Sequence, residues 1–343
     1  VSTRIGIVAD LHYTNPKIHP GDMHNGISAR LRGMVDVLEN AVTSLGLNVV
    51  IVAGDFFDSS RPNHVVAHYV TDRLHKGAFE RVRFYVIPGN HDADSNAPYD
   101  HVLSMLEHSE GITPVHTPTL FAEHIWLVPW GYHPMTLVPP RNTMVVVAHH
   151  GIWGAETPSF MRNTKDAVSS DEVLAWMNKH GVRHYYAGDW HEHASYHGGR
   201  VVQIGALTPQ DWRNPGVQSY GTVVVIDNND AGWSVPQLSR LAGPRFTTAE
   251  TSSKLPKLWP GCKGYGRVKL NDGPAPCYVV VEETGTGDEQ VEQAERAAVD
   301  VSSFEQLGTS LENWILGDVN IPEEDRREVY RRAMVHLRAG GAE

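Results

Sequence analysis

The sequence predicts an α/β fold, and three observations carry that prediction. Over the first 227 residues, short β-branched runs alternate with stretches whose apolar residues recur at helical spacing, the rhythm of sheets covered by helices. Some runs, Val49-Val50-Ile51-Val52 among them, are apolar at every position, as strands buried on both faces are. Clusters of Asp, His and Asn close successive runs at their C-terminal ends, where open α/β sheets bind ligands.

The elements follow in order. Ile5–Ala9 is the first strand and Val49–Ala53 the second. Between them, Ile27, Leu31, Met34, Val35, Leu38, Val42 and Leu45 fall on one helical face. Pro62, suited to a first helical turn, opens a second helix running to Leu74. Further strands are expected at Phe84–Ile87, Trp126–Val128, Met144–Ala148, His184–Ala187, Val201–Ile204 and Val223–Ile226. A third helix, Asp171–Lys179, follows the capping residues Ser169 and Ser170. The last three strands have no helix between them and read as hairpins of a mixed sheet. A Pro-, Gly- and Ser-rich stretch from Gly232 to Gly266 then leads to a tail with a strand at Tyr278–Val281 and helical patterns near Glu289–Val299 and Glu323–Arg338. The expected organisation is one domain over residues 1–230, then a linker and a small α+β C-terminal domain over 231–343.

With 343 residues, 41% hydrophobic and 20% charged, the chain buries a real core, which excludes a disordered protein or a disulfide-stapled mini-protein. No apolar run approaches the roughly 18 residues of a membrane span, and Val1–Asp10 lacks the pattern of a signal peptide. Cys262 and Cys277 make no disulfide framework, so a cytoplasmic location is expected. A net charge of −11 excludes a module that grips phosphate backbones by bulk charge; any nucleic-acid contact must come from a local site or a partner. Histidine is the abnormal number: there are 20, and all but His336 precede residue 200, a regional excess that signals metal or proton-transfer chemistry.

Five clusters locate that chemistry. Asp10-Leu11-His12 follows the first strand, Gly54-Asp55-Phe56-Phe57-Asp58 the second and Gly89-Asn90-His91-Asp92 the third, while His149-His150-Gly151 and Gly188-Asp189-Trp190-His191-Glu192-His193 end two later strands. The donors are oxygen and imidazole with no thiolate, which suits Mn, Fe or Zn better than Ca or a structural zinc. They exceed what one tetrahedral ion takes and suit two ions sharing a carboxylate, the machinery of phosphoester hydrolysis.

These motifs resemble, in order and spacing, those of the calcineurin-like metallophosphoesterase superfamily. The segment from Gly54 to Pro62 is most similar to the SbcD-type exonuclease subunits of DNA double-strand-break repair. The resemblance covers residues 4–227 and implies a four-layer α/β/β/α sandwich of two mixed sheets. It assigns one divalent cation to Asp10, His12, Asp55 and His191 and a second to Asp55, Asn90, His149 and Asp189. It makes His91 the catalytic histidine, protonating the leaving oxygen, and has Asp92 hold an imidazole in its tautomer. The implied cofactor is a pair of manganese ions, with Fe, Zn or Mg as alternatives. The implied activity is exonucleolytic hydrolysis of DNA phosphodiesters, used in repair and recombination, through a hydroxide shared by the two ions. An SbcC-type ATPase subunit is the implied partner, a homodimer is compatible with it, and no membrane is involved.

The family has Gly-His-x-His where this chain has Gly188-Asp189-Trp190-His191, so the final ligand pair is Asp189 with His191 or, in the other register, His191 with His193. Two rival functions stand beside the nuclease: a phosphatase or phosphodiesterase for small molecules such as nucleotides, and a non-catalytic scaffold at DNA ends. Trp130, Tyr132, Trp153, Trp190 and Trp212 flank the clusters and serve either as base-stacking platforms or as rim packing. Arg162 and Lys165, in the loop after His149, are phosphate contacts or ordinary surface charge.

Overall fold

A computed structural model describes residues 3–16, 23–94, 97–157, 162, 164, 166–208, 221–229, 232–234 and 236–240, together with the backbone of three later strands. In chain order these hold β1 (Thr3–Val8), α1 (Ala29–Leu45), β2 (Val49–Ala53), α2 (His64–Arg73), β3 (Arg83–Ile87), β4 (Ile112–Pro114), β5 (Thr119–Phe121), β6 (Ile125–Val128) and β7 (Val145–His149). Then come α3 (Ser170–His180), β8 (His184–Gly188), β9 (Ala194–Tyr196), β10 (Val201–Gln203), β11 (Thr222–Asn229), β12 (Gly232–Trp233) and β13 (Gln237–Arg240). The later strands, β14 (Phe246–Ala249), β15 (Lys263–Lys269) and β16 (Tyr278–Thr284), form a three-stranded sheet. The helices expected near 289–299 and 323–338 lie outside the described residues.

Two mixed sheets make the body. One runs β12-β11-β1-β2-β3-β4, with β13 also on β11; the other runs β9-β10-β8-β7-β6-β5. Strands β1 to β4 are parallel neighbours, as are β6, β7, β8 and β10. The period-two alternation of each strand divides the apolar residues between layers. Val50, Val52 and Val86 pack on α1 and α2 through Leu31, Met34, Val35, Leu38 and Val70. Ile5, Ile7, Val49 and Ile51 pack against Ile125, Leu127, Val145, Val147 and Val202 of the other sheet. Beyond that sheet, Val146, Ala148 and Tyr185 meet Val173, Trp176 and Met177 of α3. The result is the expected α/β/β/α layering.

Two expectations change. The last three strands are not hairpins: β8 and β10 are parallel, and β11 crosses to the other sheet to pair antiparallel with β1. Edge strand β9 supplies the length for the parallel return, and Val224 and Ile226 of β11 join Ile5 and Ile7 between the sheets. Pairing also continues past residue 230, since β12 and β13 both add to β11.

Ser169 caps α3 as its position implies, its side chain accepting the Glu172 N–H at 3.1 Å. Acidic Asp171 and Glu172 occupy the first turn and Lys179 and His180 the last, matching the helix dipole. Replacing Ser169 with Ala removes the cap and is expected to lower stability by about 1 kcal/mol in urea unfolding.

Candidate metal centre

The C-terminal ends of β1, β2, β3, β7 and β8 meet at the seam between the sheets, and backbone contacts lock their loops together. Asp10 N–H donates to Gly54 O at 3.2 Å and His12 N–H to Asp55 O at 2.9 Å. Asp189 N–H donates to Asp10 Oδ1 at 2.9 Å, although 179 residues separate the two. Close approach requires missing side chains at two points. A Cβ on Gly54, whose φ is +88°, would occupy the ring of His149, and one on Gly89 would overlap Asp55. Four of the candidate ligands themselves take left-handed backbone: Asp10 (φ 53°), His12 (45°), Asp55 (51°) and Asp189 (100°). Strain of this kind, about 1–3 kcal/mol per residue, persists where surrounding structure imposes it and clusters at functional sites.

All seven proposed ligands converge. Asp10, His12 and His191 form one donor group and Asp10, Asp55 and His149 another, the donor atoms of each lying within 4.8 Å of one another. Asp55 spans both, with Oδ2 3.4 Å from His12 Nε2 and Oδ1 3.4 Å from His149 Nε2. Asn90 Oδ1 lies 2.8 Å from His149 Nε2, Asp189 Oδ1 3.9 Å from the same nitrogen, and His191 Nε2 3.0 Å from His12 Nε2. The outer nitrogens are engaged elsewhere. Ala53 O takes the Nδ1 proton of His149 at 2.8 Å, and Asp58 Oδ1 lies 3.2 Å from Nδ1 of His12, so both rings turn Nε2 inward. His193 turns its Nδ1 to Ile204 O at 3.1 Å and joins neither group.

Two residues behave differently from the expectation. Asp92 is fully buried, and its two oxygens accept the N–H groups of Phe56, Phe57 and Gly89 at 2.8–3.0 Å. It therefore braces the Asp55 and Asn90 loops through backbone amides instead of holding an imidazole. The residue that does meet imidazoles is Asp58: its side chain reaches His12, and its carbonyl accepts from His91 Nδ1 at 3.0 Å. Its place three residues after Asp55 was the only sequence signal for that role. His91 keeps 43% of its side chain exposed, beside a centre otherwise mostly buried.

The electrostatics identify what is needed. Burial pushes the Asp10 carboxyl up to about 7, with the Asp55 charge adding to it, while His149 and His12 pull the other way. Burial and Asp55 likewise push Asp92 up to about 6. Burial works against a charge on His149, yet Asp55, Asp10 and Asp189 draw its proton affinity up to about 10. Burial and the positive tendency of His12 push His191 down to about 4. Among the described residues, imidazoles are the only ion-pair partners of Asp55, Asp58 and Asp189. Asp10 Oδ2 is buried without a hydrogen-bond partner. An orphaned carboxylate oxygen, converging imidazole nitrogens and uncompensated negative charge fit divalent cations. Of the flanking aromatics, Trp190 packs on Gly151, and Trp153 lies under Arg162, whose guanidinium carbon is 5.4 Å from the ring centre. Arg162 also donates to Thr157 O and Ala155 O, so it braces its own loop; Lys165 and Trp212 lie outside the described residues.

No curated protein matches the chain. Among solved structures, GAP50, the anchor in the inner membrane complex of Plasmodium, is 10% identical, with 70% of this chain and 84% of that one covered and a TM-score of 0.40. A Thermus thermophilus protein is 12% identical over 70% of this chain and 99% of its own, at a TM-score of 0.39. The nuclease MPE of Pseudomonas putida is 20% identical over 43% of this chain and 60% of its own, at a TM-score of 0.27. Residues 3–193, which hold all five clusters, match the calcineurin-like phosphoesterase family, and the chain belongs to that family.

Proposed function

We propose that this metal-dependent phosphoester hydrolase cleaves DNA phosphodiesters at ends, as an SbcD-type exonuclease subunit working with an SbcC-type ATPase. The observation that carries hydrolysis is the buried donor cluster with its unpartnered Asp10 oxygen. The DNA substrate is supported by the Gly54–Pro62 segment, whose Asp55 and Asp58 line the centre. Asp10, His12, Asp55 and His191 would hold one cation and Asp55, Asn90, His149 and Asp189 the other, with manganese favoured by the mixed oxygen and nitrogen donors. The final pair is taken as Asp189 and His191 because both face the cluster while His193 faces Ile204. When bound, such a pair supplies Lewis acidity that activates water and offsets phosphate charge.

The residues of the chain do the rest. Asp58 and Ala53 carbonyl or carboxylate oxygens hold His12 and His149 in the tautomers that present Nε2 to the centre. A ring nitrogen facing a carbonyl must donate, so His91 keeps its Nδ1 proton on Asp58 O and carries the exchangeable proton on Nε2. From that exposed position it delivers the proton to the departing oxygen. The net charge of −11 favours a second reading, a phosphodiesterase for small molecules.

The test is degradation of end-labelled linear DNA by metal-stripped protein with manganese restored, beside bis-nitrophenyl phosphate. Manganese-dependent loss of DNA is expected, and His91→Ala is expected to lower the rate about 10²–10⁴-fold with metal binding retained. Diester cleavage without DNA degradation would transfer the substrate to small molecules, and binding of both cations without either activity would favour the scaffold. Asp92→Asn puts an amide NH₂ against backbone N–H donors and should destabilise the protein by about 1–3 kcal/mol in urea unfolding.

A further inference from the structure

Gln203, the last residue of β10, is fully buried and touches none of the candidate ligands' side-chain donors, yet its amide joins the loops that carry three of them. Its Oε1 accepts the Ile152 N–H at 2.9 Å, three residues after His149. Its Nε2 donates to Ala187 O at 3.2 Å and to Trp190 O at 3.4 Å. Ala187 lies just before Gly188 and Asp189, and Trp190 sits between Asp189 and His191. One donor and two acceptors surround the amide, so only one orientation satisfies all three.

Neighbouring contacts point the same way. Gly151 has no side chain, and the Trp190 indole rests where a Cβ would be. Past Gln203 the backbone continues the brace, with Ile204 N–H on Ala187 O at 2.8 Å, Ala206 N–H on His191 O at 2.9 Å and Leu207 N–H on Ala9 O at 3.2 Å. A carboxylate at 203 could accept from Ile152 but would face two carbonyl oxygens, and an aliphatic side chain would take their partner from Ile152 N–H and Trp190 O, while Ala187 O kept its bond from Ile204 N–H. A neutral amide makes all three bonds without adding charge beside the cations.

We infer that Gln203 is a positioning residue: it fixes His149 relative to the Asp189–His191 pair and thereby sets the cation affinity of the centre. The inference rests on the metal-dependent reading above. Partners one step removed from metal ligands typically contribute about 10–100-fold in affinity.

The experiment is manganese titration by calorimetry of the full chain, wild type against Gln203→Leu and Gln203→Glu, with thermal unfolding of each metal-free protein. Ser169→Ala, which removes the cap bond to Glu172 N–H and no bond to a candidate ligand, controls for loss of stability alone. Both Gln203 variants are expected to bind manganese about 10–100-fold more weakly, and excess manganese is expected to restore their bis-nitrophenyl phosphate hydrolysis. Ser169→Ala is expected to melt lower with unchanged manganese affinity. Should Gln203→Leu fail to fold, Gln203→Glu decides, because it keeps the Ile152 contact. Wild-type affinity in the Gln203 variants, or an equal loss in Ser169→Ala, overturns this inference alone; a wild-type chain that binds no manganese overturns the metal-dependent reading and this one with it.

Discussion

The structure depends on carboxylates held where water cannot compensate them. Asp10, Asp55 and Asp92 are buried at the strand ends; three backbone amides answer the charge of Asp92, whereas Asp10 and Asp55 accept one each. Burying an ionised carboxylate without a partner is costly enough that the group normally takes up a proton. Here the cost is spread differently: Asp10 is driven toward its neutral form, His149 toward its charged form, and Asp55, between His12 and His149, stays below the usual carboxylate range. Under the proposed assignment, a divalent cation would supply the positive charge that these shifts of Asp10 and His149 call for.

Such a cluster survives only because the scaffold leaves its members nowhere else to go. The strands beneath are apolar throughout and packed on both faces, so their register is fixed by the layers above and below. Left-handed backbone at Asp10, His12, Asp55 and Asp189 then aims donors that an ordinary strand end would point elsewhere. The hydrogen bonds from Asp189 N–H to Asp10 and from His91 N–H to Asp55 Oδ1, 2.9 Å in each case, use the same carboxylates to shape the loops. Ligand placement and loop conformation are thus one constraint.

Much of this was legible in the sequence, for identifiable reasons. The long strands announce themselves because a buried parallel strand has no polar face, and their ends were placed to within a few residues. The edge strands β4, β5 and β9, three residues each, carry too little pattern to be seen. Without β9 the β8-to-β10 connection looked like a hairpin. The convergence of the candidate donors was readable because Asp, His and Asn after a strand mean little singly and a great deal in series. The roles of Asp92 and Asp58 were not, since backbone amides and a carbonyl leave no residue signature at the positions they occupy. Gln203 was invisible for the same reason: every partner of its amide is main chain.

The seam location ties metal loading to the fold. Asp10, His12, Asp55 and Asn90 come from loops of one sheet, whereas His149, Asp189 and His191 come from the other. Neither sheet alone offers the complete proposed set of donors, so under that assignment the cations would bind fully only where the two sheets pack as in the native fold. A ligand confined to the native state stabilises it by mass action, by about 2.7 kcal/mol at one hundred times its dissociation constant. Bound cations would also remove the repulsion among carboxylates that the metal-free layers must otherwise contain. The inter-sheet core of Ile5, Ile7, Ile51, Leu127 and Val147 therefore has a polar counterpart at its rim, and each makes the other more favourable. On this view the braces that hold the loops, the Asp92 carboxylate on one side and the Gln203 amide on the other, serve stability and chemistry through the same contacts.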